Sequence, residues 1–394
     1  MVATAARHTA RAARGRHVLA IQDLTELNFA AHADKKRGFG TVGNGIDIGL
    51  FLHPVIVADA ASGGLLGLVE ALVLNRTRRP RKHRKRRPME QKESQRWLDG
   101  VRAAGQALSP TARLVTVITD REGDIYGELV EPRPANVHLL IRSAQDRSLL
   151  GGGKLYAAGD ALPVAGQRLA SVPARPGRPA RKAMLAIAFG SIDIARPTYL
   201  PKTLPGGVSL RLVVAREINP PPGETPICWR LLTTHAVEDL AAAEQMIDFY
   251  RRRWLIEQVF RTLKTQGLDI EESQVLEPET MTKLATAALI AAVRIMQLVM
   301  ARDGSTQQQL ADALDLADEP LVEALVHKLE GKTARQKNPH PKGSLARFAW
   351  VVGRLGGWDG YVGHGYKPAG PKTMAHGLQR FDAMKHGWSL HANV

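Results

Sequence analysis

The stretch ARLVTVITDREGD, residues Ala112–Asp124, decides how this chain reads. Its first part, Ala112–Thr119, is a short apolar run rich in β-branched residues, the mark of a buried strand. Asp120 stands at the end of that run. A helix is predicted next, near Gly123–Val130, and a further strand at Val137–Arg142. Strand, helix, strand in that order is a parallel crossover.

The same reading upstream yields strands at His17–Gln22, Ile46–Ala58 and Leu65–Leu74, with Gly63 and Gly64 marking the turn between the last two. The first of these ends at Asp23. A polar helix is predicted over Met89–Leu108, with Trp97, Leu98 and Val101 at helical spacing. A hairpin start joined to crossovers defines an α/β layer architecture with a mixed sheet. Open α/β sheets carry ligands beyond the carboxyl ends of neighbouring strands. Asp23 and Asp120 are therefore expected close together in space.

Downstream, residues 145–235 become rich in Gly and Pro, and β-type alternation runs through Met184–Ile194, Val208–Ile218 and Ile227–Thr234. This segment reads as a β-rich insertion. A helical pattern resumes at Leu240 and runs to about Gly267; a second long helix covers Met281–Ala301. The tail beyond Asp303 mixes helix with Gly/Pro-rich loop. The expected division is a first core segment (1–144), the insertion (145–235), a second core segment (236–302) and an α-helical C-terminal region (303–394).

Within the helix from Leu240, Tyr250, Arg253, Glu257, Arg261 and Lys264 form one polar stripe, confined to an arc of roughly 80° at ~100° per residue. Leu255, Ile256, Val259, Phe260 and Leu263 take the opposite, core-facing side. A charged helix face is usually just solvated. One carboxylate set among cations, however, also suits a site that holds metal and phosphate together. Asp23, Asp120 and Glu257 make a candidate three-carboxylate site. Hard oxygen ligands suit Mg²⁺ or Mn²⁺, and two such ions serve an in-line displacement at phosphorus. Arg253, Arg261 and Lys264 would grip phosphates beside them. Trp229 is placed to be a stacking platform for an unpaired base. Asp124 reads as a first-turn helix residue.

The formal net charge of +16 favours a polyanionic partner, nucleic acid first and an anionic membrane surface second. Nine Lys and Arg crowd into residues 76–87, RTRRPRKHRKRR, which reads as a loop on a DNA backbone. Cys228 is the only cysteine, so there is no internal disulfide and no Cys-based zinc cluster; a reducing, cytoplasmic location is expected. Residues 1–16 lack an apolar segment and read as a frayed start rather than a signal. Leu284–Met300 is short and interrupted by Arg294, so it reads as a buried helix and no membrane partner is expected. No Walker loop, H-E-x-x-H or Cys/His spacing occurs, and no small-molecule substrate is indicated.

Taken together, these residues resemble the DDE transposases of the insertion-sequence-four group, over nearly the whole chain from about His17. The spacing Tyr250, Arg253, Glu257, Lys264 is that group's Y-R-E-K motif. VITDREGDI (Val117–Ile125) is similar to the segment carrying the second catalytic Asp, AIQDLT (Ala20–Thr25) to that carrying the first. KESQRW (Lys92–Trp97) and EINPPPGETPICW (Glu217–Trp229) are further matches.

The resemblance implies an RNase H-like fold interrupted by the β-rich insertion, with Asp23, Asp120 and Glu257 as catalytic metal ligands. It implies that Trp229 stacks on a flipped base, that Arg142, Tyr250 and Arg253 hold neighbouring phosphates, and that a DNA hairpin forms during excision. It also implies a homodimer on double-stranded DNA, joined through the C-terminal region. Members of the group carry a helical end-binding domain ahead of the first catalytic strand; about twenty residues precede Asp23 here, so that domain is expected to be missing. The expected function is Mg²⁺-dependent cut-and-paste transposition. The alternative is a truncated, non-catalytic DNA-binding and dimerising regulator, and a generic basic nuclease is a third reading.

Overall fold

The computed structural model describes residues 1–76, 93–174, 179–361 and 367–391. Their elements begin with α1 (Val2–Ala12), β1 (His17–Gln22), β2 (Thr25–Asn28), β3 (Gly40–Thr41), β4 (Ile48–Asp59) and β5 (Leu65–Leu74). There follow α2 (Gln95–Leu108), β6 (Leu114–Thr119), α3 (Tyr126–Val130), β7 (Val137–Arg142) and α4 (Leu155–Asp160). Next come β8 (Val164–Val172), β9 (Arg181–Ala195), β10 (Gly207–Ile218) and β11 (Cys228–Thr233). The chain closes with α5 (Leu240–Arg251), α6 (Trp254–Lys264), α7 (Pro278–Ala301), α8 (Glu319–Leu329), α9 (Leu345–Leu355) and α10 (Pro371–His391). The architecture is mixed α/β. It divides into two compact units: Met1–His83 with Gln106–Arg113 and Trp254–Val394, and Arg84–Gly105 with Leu114–Arg253.

In the first unit β4 is the spine. β5 runs antiparallel along one edge; β1 and then β2 run along the other, with Gln22 opposite Val55 and Thr25 opposite Leu52. The ladder is interrupted between those two pairs, opposite His53 and Pro54, and a proline has no amide hydrogen to offer a partner strand. Asp23 occupies this gap. Gly63, with φ of 78°, makes the turn between β4 and β5.

The frayed start expected at residues 1–16 is corrected: α1 is ordered and packs on β5. The Thr9 hydroxyl donates to the Leu68 carbonyl at 2.9 Å in a buried contact. Gly67 allows the approach, since a Cβ there would fall 2.2 Å from Thr9 Oγ1. Small residues on one side of α1, Thr9 and Ala12, make the close packing possible. On the other end of the unit, α7 to α10 enclose a core built on Phe348, Trp350 and Phe381. α7 is long and apolar enough to cross a membrane by length and composition alone, and 56% of its apolar window is buried inside the protein. It packs against β5, α6, α9 and α10.

In the second unit β6 and β7 are parallel, as the crossover reading requires, and α3 lies between them in sequence. β11 adds antiparallel to β7, then β10, β9 and β8 follow in antiparallel order. The strands of the Gly/Pro-rich segment thus continue outward from β7. α4 and α5 pack against β9 and β10.

The single helix expected from Leu240 to about Gly267 is also corrected, because it is two helices. The Arg252 amide donates to the carbonyls of both Asp248 and Phe249, and the Arg253 amide to Tyr250 at 3.0 Å. The two three-residue bonds, to Phe249 and Tyr250, tighten and end α5. The stripe therefore spans α5 (Tyr250), a turn (Arg253) and α6 (Glu257, Arg261 and Lys264). On α6 the expected apolar face holds for Ile256, Val259, Phe260 and Leu263, which are buried, but not for Leu255, which is half-buried.

Candidate active site

β6 delivers Asp120. In the parallel ladder Thr119 pairs with Ile141, so Asp120 and Arg142 emerge side by side from the same end of two neighbouring strands. Asp120 then caps a single 3₁₀ turn, Arg121–Gly123, its Oδ1 accepting the Glu122 N–H at 2.8 Å. That bond fixes the carboxylate at the strand end.

Around Tyr250 the second unit gathers four more of the residues named from the sequence, Asp120, Arg142, Trp229 and Arg253. Tyr250 is buried, 5% exposed, and Trp229 meets it edge to face with ring centroids 5.6 Å apart. The Arg142 side chain donates to the Tyr250 hydroxyl, and Arg253 and Asp120 lie near enough to act on it through charge. Burial raises the phenol above its ordinary range, while the two guanidiniums oppose that shift. Arg142 Nη2 also donates to the Cys228 carbonyl at 3.5 Å, tying β7 to the residue before Trp229. Tyr250 thus lies in the interior rather than on a solvated stripe, because its ring gains more from packing on Trp229 than from water.

The first unit holds Asp23, Glu257, Arg261 and Lys264. Asp23 is 8% exposed and its Oδ1 accepts the Leu24 N–H at 2.8 Å. Glu257 lies in the first turn of α6, where the helix dipole favours an anion. Arg261 is exposed. Lys264 pairs with Glu271 at 3.5 Å, and Glu271 Oε1 also accepts the Asn28 N–H at 2.8 Å. The Arg/Lys run at 76–87 lies, apart from Arg76, outside the described residues; the Arg76 guanidinium sits 4.2 Å from the Phe51 ring centroid.

Among the described residues, no group of three His, Cys, Asp or Glu side chains is close enough to hold a metal ion. The donor chemistry of Asp23, Asp120 and Glu257 is all carboxylate, which fits a hard divalent cation such as Mg²⁺ or Mn²⁺. Two of the three are already oriented by a backbone amide.

Other residues that shape this region escaped sequence reasoning. Asp124 is not a first-turn helix residue: it is 1% exposed and receives the Ala144 and Gln145 amides at 2.7 and 2.9 Å. Arg147 donates to the same carboxylate at 2.6 Å, and that side chain is 4% exposed. This buried ion pair anchors the loop that follows Arg142. Glu128 is fully buried, and the Thr119 hydroxyl donates to its Oε1 at 3.2 Å. Burial pushes its carboxyl well above the usual range; the Thr119 hydroxyl and Arg133 oppose this, and the Asp124 and Asp120 charges add to it. The available signal was an acid inside the apolar run Ile125–Val130. In the first unit, His53 Nε2 donates to Gln22 Oε1 at 3.0 Å, both side chains buried beside Asp23.

The family model described as "Transposase DDE domain" matches residues 7–294, a span that includes Asp23, Asp120 and Glu257. The chain belongs to this family. Among solved structures it is similar to the cryo-EM structure of the piggyBac transposase synaptic complex with hairpin DNA. That likeness has 10% sequence identity, covers 73% of this chain and 47% of the other, and has a TM-score of 0.37. The chain spans about half the length of that protein.

Proposed function

We propose that this chain is a cut-and-paste DNA transposase of the insertion-sequence-four group, similar to the Tn-five transposase. The observation that carries the reading is the family match over residues 7–294, joined to the seat of Asp120 at a strand end beside Arg142 and Tyr250. Asp23, Asp120 and Glu257 are assigned to hold Mg²⁺ or Mn²⁺, two ions to a site. Bound there, such ions lower the barrier to in-line attack on a phosphodiester by polarising it and stabilising the leaving oxygen.

The chain's own residues supply the rest. The Glu122 N–H keeps one oxygen of Asp120 oriented, and the other is assigned to the metal. Arg142, braced by Tyr250, offers planar paired donors to a phosphate next to the scissile one. Arg253, Arg261 and Lys264 hold the strand electrostatically, and Trp229 provides the face on which a flipped base stacks. The same arrangement serves water as nucleophile in first-strand cleavage and the freed 3′-hydroxyl in hairpin formation and target joining. Double-stranded DNA is the partner, and a second copy of the chain, joined through 303–394, completes the assembly.

The test is strand nicking of linear DNA that carries the candidate transposon ends. Asp120→Asn and Glu257→Gln should each cut divalent-metal-dependent nicking by about 10³-fold or more, as removal of one member of a catalytic set does. Gel-shift affinity should persist. Undiminished nicking in either variant would reject the assignment, and binding without nicking by the unaltered chain would favour the regulator reading.

A further inference from the structure

We infer that Glu128 is a positioning residue for Asp120, acting through Thr119 to hold the end of β6 in the geometry that receives a divalent cation. The inference rests on the reading of Asp120 as a metal ligand.

Thr119 is the hinge of the arrangement. It is fully buried, and its hydroxyl donates to Glu128 Oε1 at 3.2 Å. The 3₁₀ turn that Asp120 caps folds directly over it: a Cβ added at Gly123 would fall 2.7 Å from Thr119 Cβ. Gly123 thus permits a contact that any larger residue would open. Beyond the turn, Asp124 is locked to Arg147 and to the amides of Ala144 and Gln145. Asp120 therefore sits between a fixed side chain on one side and a fixed turn on the other, with its own Oδ1 held by the Glu122 N–H.

Glu128 is the keystone because nothing apolar could do the same work. A leucine of similar size would fill the volume, but it would take the Glu128 acceptor away from the buried Thr119 hydroxyl. The unmet hydroxyl would disturb the packing under the turn that carries Asp120, where Gly123 rests on Thr119. Residues that orient a metal ligand from behind usually influence affinity by 10–100-fold when removed.

The experiment uses the full chain and Mn²⁺ alone, following free Mn²⁺ by its electron paramagnetic resonance signal, with thermal unfolding measured in parallel. Glu128→Ala should weaken Mn²⁺ binding by about tenfold. Glu128→Gln, whose amide oxygen accepts the same hydroxyl, should bind as the unaltered chain does. Thr119→Val removes the hydroxyl while keeping the shape. It should match Glu128→Ala, and it decides the matter if the alanine variant fails to fold. A merely structural Glu128 would lower the unfolding temperature and leave Mn²⁺ affinity of the folded protein unchanged. If Asp120→Asn weakens Mn²⁺ binding but Thr119→Val and a folded Glu128→Ala do not, the inference is overturned and the metal reading stands. If Asp120→Asn itself binds like the unaltered chain, the metal reading falls and takes the inference with it.

Discussion

Asp23 and Asp120 both follow a buried strand, each comes directly after a buried polar residue, and each has a backbone amide on one oxygen. What lies behind them differs. Behind Asp23 the contact is between an amide and an imidazole, Gln22 and His53. Behind Asp120 it is a hydroxyl and a carboxyl, Thr119 and Glu128, with the Asp124–Arg147 ion pair close by. The Asp124–Arg147 pair of the second unit is closed from water, whereas in the first unit both partners of Lys264–Glu271 and the Arg16 side of Arg16–Asp312 are partly exposed. Interior charges set geometry and respond to pH; half-exposed charges set affinity and respond to salt.

The largest effect that bears on this contrast comes from breaking one ion pair in each unit. Asp124→Asn leaves the Arg147 guanidinium, 4% exposed, without its counter-charge. Removing one partner of a buried pair costs about 3–5 kcal/mol. Asp312→Asn leaves Arg16, whose side chain is 30% exposed, with Asp59 still at 3.6 Å and with access to water. That loss should be about 1.5–3 kcal/mol, the range for a hydrogen bond to a charged group. Urea unfolding of both variants measures the difference. Equal losses would erase the distinction between the units.

A second effect is a pH slope. Glu128 is neutral in the folded protein to a pH well above the ordinary glutamate range, for reasons of burial first and of the Asp124 and Asp120 charges second. Between the ordinary glutamate range and that raised value the folded chain holds a proton that the unfolded chain has released. The stability it contributes is complete below the unfolded pKa and is lost as pH rises, by about 1.4 kcal/mol per pH unit within that window. Glu128→Gln should remove this slope. Unfolding free energies across that pH range, compared between the two proteins, check it; a slope that survives in the glutamine variant assigns the proton elsewhere.

Much of the fold was legible because apolar β-branched runs end at polar residues. The bounds of β1, β5 and β7 fall where the pattern places them. The break between α5 and α6 was not legible. Residues 251–253 are three arginines, good helix formers with no Gly or Pro among them, and only the carbonyls chosen by Arg252 and Arg253 mark the stop. α1 hid for the opposite reason, since the buried side of this Ala/Arg segment is made of small residues such as Thr9 and Ala12. For the candidate site, strand-end acids are readable as such. Their buried supports are not, because a contact such as Thr119 with Glu128 or Asp124 with Arg147 depends on how the turn folds back.

The smallest effect belongs to the half-exposed charges of the first unit. Lys264 and Glu271 are 25% and 26% exposed, a setting in which an ion pair is worth about 0–1 kcal/mol. If Lys264 meets a phosphate as proposed, that phosphate competes with Glu271 for the ammonium group. Glu271→Gln keeps an oxygen for the Asn28 N–H and removes that competition. DNA affinity should therefore tighten by roughly two- to fivefold at low salt, the equivalent of up to about 1 kcal/mol. The gain should fade as added salt screens the groups. Removal of any acid near DNA raises affinity somewhat through net charge, so the informative measurement is the double variant. In a Lys264→Ala background the same Glu271→Gln change should yield a smaller gain, because the ammonium it would have released is gone. An equal gain in both backgrounds would mean that Lys264 does not meet the phosphate, and that the acid acts on DNA only through the overall field.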